Sequence, residues 1–274
     1  MRIGVVQPDA SERAVAPSEL AQRVDGECDL IVLPELVVPG YTLDHELLRA
    51  AAEPLDGPVV TAALRYTRET GTYLTFGFCE REDDRIYNAA VLVGPNGLLL
   101  HYRKLHLFGA EKRFFTPGDR GLPVVETPFG VVGVCICYDL RFVEVVRALT
   151  LRGAVLVCAP TAWIPGFDAD ELRIGDLPGQ VAGVLVQANL NHTYVACASY
   201  CGTAHGLDFL GHSLVADPFG RTALGPLPRA VADAQGAEIE LRSSLEARQR
   251  GDGVSPWEDR RADYLELHVG GEVL

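Results

Sequence analysis

The chain lacks the cysteine spacings that hold a metal ion or build a disulfide framework. Its seven cysteines are an odd number, and no C-x-x-C pair occurs among them. Neither the pair Cys135 and Cys137 nor the pair Cys197 and Cys201 has two histidines nearby at zinc spacing. Because most of the cysteines lie inside apolar runs, the sequence favours buried free thiols in a reducing compartment, and it predicts no metal site.

Positive charge is also scarce in this chain. It carries 24 Lys and Arg against 37 Asp and Glu, which gives a formal net charge of −13 at pH 7. This balance argues against a nucleic-acid partner and offers no attraction to anionic membranes. No apolar run approaches the ~18 residues that cross a bilayer, and residues 1–8 lack the long apolar region and cleavage site of a signal peptide. We therefore expect no membrane partner and a cytoplasmic location.

The chain does contain enough apolar sequence for a large core, since hydrophobic residues make up 48% of its 274 positions. Apolar runs rich in β-branched residues predict strands at Ile3–Val6, Leu30–Leu33, Tyr73–Phe78, Ala89–Val93, Leu98–Tyr102, Val131–Ile136, Val155–Cys158, Tyr194–Ala198, Ser213–Ala216 and Ala237–Leu241. Helical patterns predict helices at Ser18–Val24, Asp44–Ala52, Val59–Thr70, Arg141–Leu151 and Gly179–Asn189.

Two turns and a polar tail complete the predicted architecture. The string Gly94-Pro95-Asn96-Gly97 predicts a hairpin, because Asn-Gly readily supplies positive φ, and residues 217–220 predict a second one. Hairpins inserted into a strand–helix alternation favour mixed sheets covered by helices. From about Leu245 the chain becomes polar. We predict one domain over residues 1–244 and a C-terminal arm over residues 245–274.

Three strings place polar side chains at points where apolar strands end. They are Leu33-Pro34-Glu35, the run 102–108 that contains Lys104, and the run 134–142 that contains Cys137. A thiol at a strand end that faces a helix N-terminus suits a nucleophile, because backbone N–H groups there stabilise a thiolate and an oxyanion. Attack on a carbonyl carbon needs such a nucleophile, a proton carrier and a cation for the developing oxyanion.

These three needs assign one role to each string. Cys137 would attack, Glu35 would take its proton and pass it to the leaving group, and Lys104 with the N–H of Tyr138 would hold the oxyanion. A lysine about 4 Å from a thiolate would stabilise it by about 4 kcal/mol at an effective dielectric near 20, and a carboxylate equally close would oppose this by a similar amount. We therefore predict a thiol that rests protonated and loses its proton to Glu35 during attack.

Each candidate also has an interpretation that involves no chemistry. Cys135 competes with Cys137, because period two would point both side chains to one face if the strand continued. Glu35 would be an ordinary turn carboxylate, and Lys104 would be a solvated charge at a strand end. For one residue taken alone, the plain interpretation is favoured. Three candidates in one chain favour the catalytic interpretation, and the Tyr-Asp-x-Arg-Phe run that follows Cys137 favours it over Cys135.

In this chain order, the three strings resemble the Glu–Lys–Cys triad of the nitrilase, or carbon–nitrogen hydrolase, superfamily. Glu111 resembles the family's second glutamate, which orients the lysine and the substrate; a solvated loop carboxylate is the alternative. The resemblance covers most of the chain, from Ile3 to about Glu240. It extends to Pro39-Gly40-Tyr41, Glu144, residues 159–163, Gly211-His212-Ser213 and residues 217–220.

The resemblance implies an α/β fold, a four-layer α-β-β-α sandwich with mixed sheets, which pairs through helices into a homodimer or a higher homo-oligomer. The C-terminal arm would then reach across the partner. It also implies cofactor-free hydrolysis of a small linear amide or N-carbamoyl compound through an acyl-thioester. Residues that flank the motifs are candidates for lining the substrate pocket, with ordinary core or loop positions as the alternative: Tyr41, Phe114, Tyr138, Trp163 and His205.

Other functions stay open for the same residues. The acyl-enzyme could pass its acyl group to an amine, which would make the chain an acyltransferase or an amide-forming enzyme. Nitrile hydrolysis is the minority activity in the superfamily and ranks below amide hydrolysis. A non-catalytic binding member is the third class, and the intact triad argues against it.

Three positions depart from the family pattern. Val143 replaces a proline, which leaves catalysis untouched. The run Gln187-Ala188-Asn189-Leu190 stands where Arg-Ala-x-Glu is common, so we expect a buried ion pair to be lost. Ser199-Tyr200 replaces a frequent Asn-Arg. Because the last two lie near the pocket or its helix, the substrate of a relative does not transfer directly to this chain.

Overall fold

Two six-stranded sheets packed face to face form the centre of the protein, and helices cover their outer faces. The computed structural model describes residues 1–12, 14–165 and 173–274. The layer order is helix, sheet, sheet, helix, so the predicted four-layer sandwich with mixed sheets is confirmed.

The strands are numbered here in chain order: β1 (Arg2–Gln7), β2 (Leu30–Val32), β3 (Tyr73–Glu82), β4 (Arg85–Gly94), β5 (Gly97–Arg103), β6 (Val124–Thr127), β7 (Gly130–Val134), β8 (Leu156–Pro160), β9 (Arg173–Ile174), β10 (Leu177–Pro178), β11 (Tyr194–Ala198), β12 (Thr203–Ala204), β13 (Leu207–Asp208), β14 (Leu214–Ala216), β15 (Thr222–Leu224), β16 (Asp233–Glu238), β17 (His268–Val269) and β18 (Glu272–Val273). The first sheet has the order β16-β1-β2-β3-β4-β5, and the second has the order β15-β14-β11-β8-β7-β6.

The helices are α1 (Pro17–Ala21), α2 (His45–Ala51), α3 (Pro58–Thr70), α4 (Val143–Leu151), α5 (Gly179–Asn191) and α6 (Ser243–Glu246), with 3₁₀ helices at Gly109–Arg113 and Cys137–Arg141. Helices α1 and α3 cover the first sheet, and α4 and α5 cover the second. None of the helices in the described part of the chain is long and apolar enough to span a membrane.

Strand direction brings the polar strand ends to one edge of the sandwich. Strands β2 and β5 run the same way, because β3 is parallel to β2 and two antiparallel pairings separate β3 from β5. Strands β7 and β8 are parallel to each other in the second sheet. Ligand sites in such sheets form outside the carboxyl ends of the strands. The segments after β2, β5 and β7 carry Glu35, Lys104 and Cys137.

The sequence located the central strands better than the strands at sheet edges. Each predicted strand and helix overlaps an observed one. The two-residue strands outside the two large sheets were not predicted; within those sheets, β6 and β15 were missed, and β16 begins several residues before the predicted Ala237–Leu241. All three are edge strands. An edge strand needs a less continuous apolar run, and β16 has no fully buried residue. Ile239 and Leu241 contribute to the core after the strand has ended.

Both predicted hairpins are confirmed. In the first hairpin, Gly94 pairs with Gly97 between β4 and β5, and the positive φ of 122° belongs to Gly97. In the second, the carboxylate of Asp217 accepts hydrogen bonds from the backbone N–H groups of Phe219 (2.8 Å) and Arg221 (2.9 Å) and so closes the turn between β14 and β15.

The C-terminal arm folds back on helices of its own chain. Leu267, Val269 and Leu274 pack against the main core, and Glu272 forms an ion pair with Arg152 at 2.5 Å. A surface pocket between the arm and the helices α4 and α5 is lined from both sides. The contact of the C-terminal arm with a partner subunit stays a prediction.

Close backbone approach explains two glycines beside the polar strand ends. A Cβ at Gly77 would lie 2.6 Å from the backbone N of Leu36 and 2.7 Å from the Cα of Glu35. A Cβ at Gly118 would overlap the carbonyl oxygen of Arg103, next to Lys104. Because the opposing atoms are backbone atoms, they cannot move aside as the end of a long side chain would. Gly77 and Gly118 therefore hold the glutamate and lysine segments close to the sheet.

We expect the substitution Gly77→Ala to lower the free energy of unfolding by about 1–3 kcal/mol, the usual cost of forcing an extra methyl group into a closely packed site. The measurement is urea unfolding of both proteins. Gly251→Ala is the matched control, because a Cβ at Gly251 meets no atom within 4 Å among the described residues. A Gly77→Ala protein as stable as the wild type would show that the backbone approach is not tight.

Candidate active site

A buried lysine between two buried carboxylates is the centre of the site. The Nζ of Lys104 lies 2.6 Å from Oε1 of Glu35 and 2.9 Å from both carboxylate oxygens of Glu111. The side chains of all three residues are fully shielded from solvent. The structure therefore brings together three of the four predicted catalytic residues and excludes the interpretation of Lys104 as a solvated strand-end charge.

Neutral groups also donate hydrogen bonds to the two carboxylates. The hydroxyl of Tyr41 donates to Glu111 at 2.6 Å, and the backbone N–H of Phe108 donates to its other oxygen at 2.9 Å. The side-chain amide of Asn88 donates to Oε1 of Glu35 at 2.7 Å. The second oxygen of Glu35, Oε2, is buried and has no hydrogen-bond partner among the described residues. That oxygen is open to accept a proton.

Asn88 was missed by the sequence analysis. It lies within β4, and the predicted strand began one residue later, at Ala89. A buried amide inside a strand has no sequence signal of its own, although a polar residue in a strand that is otherwise fully buried is an indication that it must be hydrogen-bonded.

The surroundings of Glu35 and Lys104 shift their proton affinities. Burial raises the pKa of Glu35 from its ordinary 4.5 to about 7, with Lys104 opposing the rise and Glu111 adding to it. Burial alone would lower the pKa of Lys104, but the negative charges of Glu111 and Glu35 outweigh it and raise that pKa. Lys104 therefore stays a cation, and Glu35 can both take up and release a proton near neutral pH.

Cys137 lies on a sharp turn directly after β7. That strand ends at Val134, and Cys137 begins a 3₁₀ helix with a positive φ of 45°, a conformation that favours glycine. The turn breaks the period of two, so Cys135 and Cys137 do not share a face. Cys135 is fully buried in the main core, whereas Cys137 is partly exposed and lines a pocket. The geometry favours Cys137 over its competitor.

The thiol of Cys137 is held in its neutral form. Burial raises its pKa well above the ordinary value, and the negative charge of Glu35 raises it further. Lys104 and the backbone N–H of Ala162 lower the pKa, but they do not outweigh the first two causes. This direction agrees with the sequence-based hypothesis of a resting thiol.

Asp139 ties the cysteine turn to the lysine segment, and the sequence analysis gave it no role. Its buried carboxylate accepts hydrogen bonds from the hydroxyl of Tyr102 (2.7 Å) and from the backbone N–H groups of Ile136 (2.9 Å) and His106 (3.1 Å). The ring of His106 also lies 2.8 Å from this carboxylate. An acidic residue at the third position of a helix, three residues after the N-cap Ile136, is a capping pattern, which was the available signal.

The pocket above Cys137 is lined, among the described residues, by Tyr41, Phe108, Glu111, Cys137, Tyr138, Leu140, Arg141, Ala162, Trp163, Ile164, Gln180 and Gly183. It includes three of the five predicted pocket residues: Tyr41, Tyr138 and Trp163. The structure does not bring the other two to it. Phe114 stacks on His45 with ring centroids 5.4 Å apart. His205 is exposed at the turn between β12 and β13.

Two departures from the family pattern have clear positions. The buried hydroxyl of Tyr200 donates to the carbonyl oxygens of Glu35 (3.0 Å) and Leu36 (3.2 Å), so it supports the backbone that carries Glu35. Gln187 is buried and donates to the carbonyl oxygen of Leu140 at 3.3 Å, while Leu190 is exposed. These residues contact the two segments that carry Glu35 and Cys137.

No group of three or more His, Cys, Asp or Glu suited to a metal ion occurs in the described part of the chain.

The fold and the site define a class of enzyme. The sequence profile of one family, described as carbon-nitrogen hydrolase, matches residues 7–249. The chain belongs to the carbon–nitrogen hydrolase family and, within it, to the amidase branch of the nitrilase superfamily. It is an enzyme that hydrolyses C–N bonds through a cysteine.

Particular relatives support this placement. A nitrilase from Pyrococcus abyssi is 34% identical over 237 residues, which cover 86% of this chain and 85% of the relative. An (R)-stereoselective amidase from a Pseudomonas species is 34% identical over 198 residues, which cover 72% of this chain and 68% of the relative.

One solved structure is informative about chemistry. It is a glutamate-to-glutamine variant of the amidase from Nesterenkonia sp. AN1, and it shows covalent addition of the acetamide moiety of fluoroacetamide at the active site cysteine. Its similarity to this chain has a TM-score of 0.73 at 26% sequence identity, and it covers 96% of this chain and 95% of that chain.

The raised pKa of Glu35 predicts a pH-dependent effect of Glu35→Gln on stability. Because the folded pKa of about 7 exceeds the ordinary 4.5, the stabilising contribution of protonated Glu35 is complete below about pH 4.5 and is lost as the pH rises through about 7. Glutamine stays neutral throughout. We therefore expect Glu35→Gln to gain about 2 kcal/mol over the wild type between pH 5 and pH 8, measured by urea unfolding at both values.

The control for this experiment is Glu126→Gln, which changes an exposed glutamate on the edge strand β6. A stability difference between wild type and Glu35→Gln that stays constant from pH 5 to pH 8 would contradict the raised pKa.

Proposed function

We propose that this chain hydrolyses a small linear amide or N-carbamoyl compound through an acyl-thioester on Cys137, with Glu35 as proton carrier and Lys104 as oxyanion stabiliser. The observation that carries the proposal is the fully buried Glu35–Lys104–Glu111 cluster, which interacts electrostatically with the thiol of Cys137 beneath a mainly apolar pocket.

Acylation begins when the sulfur of Cys137 attacks the carbonyl carbon of the substrate. The thiol proton passes to Glu35, whose Oε2 has no hydrogen-bond partner among the described residues. As the tetrahedral intermediate collapses, the C–N bond breaks, and Glu35 returns the proton to the leaving nitrogen. Ammonia departs from a primary amide, and the acyl group remains on the sulfur as a thioester.

The carbonyl oxygen becomes negative during this step and needs a positive partner. Lys104 supplies the charge, and the backbone N–H of Tyr138 supplies a hydrogen bond at the start of the 3₁₀ helix. Glu111 fixes the ammonium group through both of its oxygens and is fixed in turn by Tyr41. Its role is to keep Lys104 charged and in place while Glu35 changes its protonation.

Deacylation repeats the sequence with water. Glu35 takes a proton from the water as it attacks the thioester carbonyl, and the proton then goes to the departing thiolate of Cys137. A carboxylic acid leaves from an amide substrate. From an N-carbamoyl amine, the carbamoyl thioester gives carbon dioxide and ammonia after the amine has left.

The choice of an amide is supported by the amidases among the relatives and by the cysteine adduct of the Nesterenkonia amidase. The pocket walls are mostly aromatic and aliphatic. Walls of this kind suit the uncharged amide group of such a substrate.

The test is intact-protein mass spectrometry after brief incubation with a panel of small amides, N-carbamoyl amines and nitriles. We expect an acyl adduct on the wild type and none on Cys137→Ala. The matched control is Cys135→Ala, which removes the buried cysteine two residues away and should keep the adduct. Glu35→Gln should form acyl adduct much more slowly than the wild type, because the attack by Cys137 lacks the base that takes the thiol proton.

An adduct that persists on Cys137→Ala, or that is lost from a folded Cys135→Ala, would contradict the assignment. If only nitriles gave adducts and released ammonia, the proposed activity would be nitrile hydrolysis and not amide hydrolysis. Transfer of the acyl group to an added amine in preference to water would indicate an acyltransferase.

A further inference from the structure

Gly183 occupies the interior of helix α5 without a packing reason among the described residues. A Cβ built on it meets no heavy atom of those residues within 4 Å. Glycine in a helix interior destabilises a protein relative to alanine, because glycine loses more conformational freedom on folding. A glycine at such a position usually allows close packing. Here it lines the pocket above Cys137 instead.

One face of α5 lies over the cysteine turn. Gln180, Gly183 and Gln187 follow the spacing i, i+3, i+7 and so share a face of the helix. Gln187 donates to the carbonyl oxygen of Leu140 within the turn, at 3.3 Å. Gln180 and Gly183, at the other end of this face, line the pocket. Gly183 is therefore the point at which the helix leaves space beside the nucleophile.

The walls around that space are mainly apolar. Phe108, Leu140, Trp163 and Ile164 contribute apolar side chains to the lining, and Arg141 and Gln180 contribute polar ones. The carboxylate of Glu111 also lines the pocket, and it is already bonded to Lys104, Tyr41 and the N–H of Phe108.

We infer that Gly183 sets the size of the acyl pocket and that the preferred substrate is an amide whose acyl group is bulky and apolar. The missing side chain leaves the space into which that group packs. This inference rests on the proposed hydrolysis at Cys137 and adds the substrate class to it.

The test compares phenylacetamide with acetamide in a graded series of variants, Gly183→Ala, Gly183→Val and Gly183→Leu. We expect wild-type kcat/KM to favour phenylacetamide about tenfold or more, and the ratio to fall stepwise with side-chain size, by roughly tenfold or more in Gly183→Leu. Activity on acetamide should change much less. The Gly183→Ala protein should also melt about 2–4 °C above the wild type, because alanine favours the helix.

Val186→Ala is the matched control. It lies on the same helix, is half exposed, is not among the described pocket-lining residues, and also raises helix propensity. It should shift thermal stability without changing the ratio. If the Gly183→Leu protein does not fold, the single added carbon of Gly183→Ala decides the question.

The possible failures can be told apart. A wild type that prefers acetamide, or a folded Gly183 series with an unchanged ratio, overturns the pocket inference while amide hydrolysis stands. A wild type that releases ammonia from neither amide and forms no Cys137 adduct with the wider panel overturns the proposed function together with this inference.

Discussion

Two carboxylates share one buried lysine, and the rest of the site depends on this imbalance. If Glu35, Lys104 and Glu111 were all ionised, the cluster would carry one uncompensated negative charge in a region shielded from water. Burying such a charge is costly. Glu35 is the group that responds, because burial raises its pKa to about 7. Glu111 instead accepts hydrogen bonds from three groups: Lys104, Tyr41 and the N–H of Phe108. A carboxyl group with this proton affinity can act as both base and acid near neutral pH.

The sandwich supplies the precision that such a cluster needs. Glu35 and Lys104 follow strands of one sheet, and Cys137 follows a strand of the other, so the cluster and the thiol meet between the two sheets. Asp139 joins the cysteine turn to the lysine segment, and Tyr200 joins the backbone of Glu35 to the second sheet. Gly77 and Gly118 keep the backbone close enough for these bonds. Displacing any of these segments would lengthen the hydrogen bonds that join Glu35, Lys104 and Glu111.

The sequence predicted the site residues that follow a recognisable pattern. Glu35, Lys104 and Cys137 each follow an apolar strand, and Glu111 lies in a string that resembles a family motif, so pattern alone predicted these four, and the structure places Glu35, Lys104 and Glu111 in one cluster. Asn88 and Asp139 were not assigned roles, because their contacts join segments that are far apart in the chain. His205 and Phe114 were chosen as flanking residues, and nearness in sequence did not bring them to the pocket. Edge strands such as β15 were missed because partial exposure weakens the apolar signal.

Cys137 is a neutral thiol at rest, because burial and the charge of Glu35 raise its pKa by more than Lys104 lowers it. The most direct measurement is a titration of thiolate ultraviolet absorbance, taken as the difference between wild type and Cys137→Ala. We expect no thiolate signal from Cys137 at neutral pH. In Glu35→Gln the thiolate should appear at a lower pH than in the wild type, because the carboxylate that repels it is gone. A wild-type Cys137 that is already a thiolate at about pH 5 would contradict this expectation.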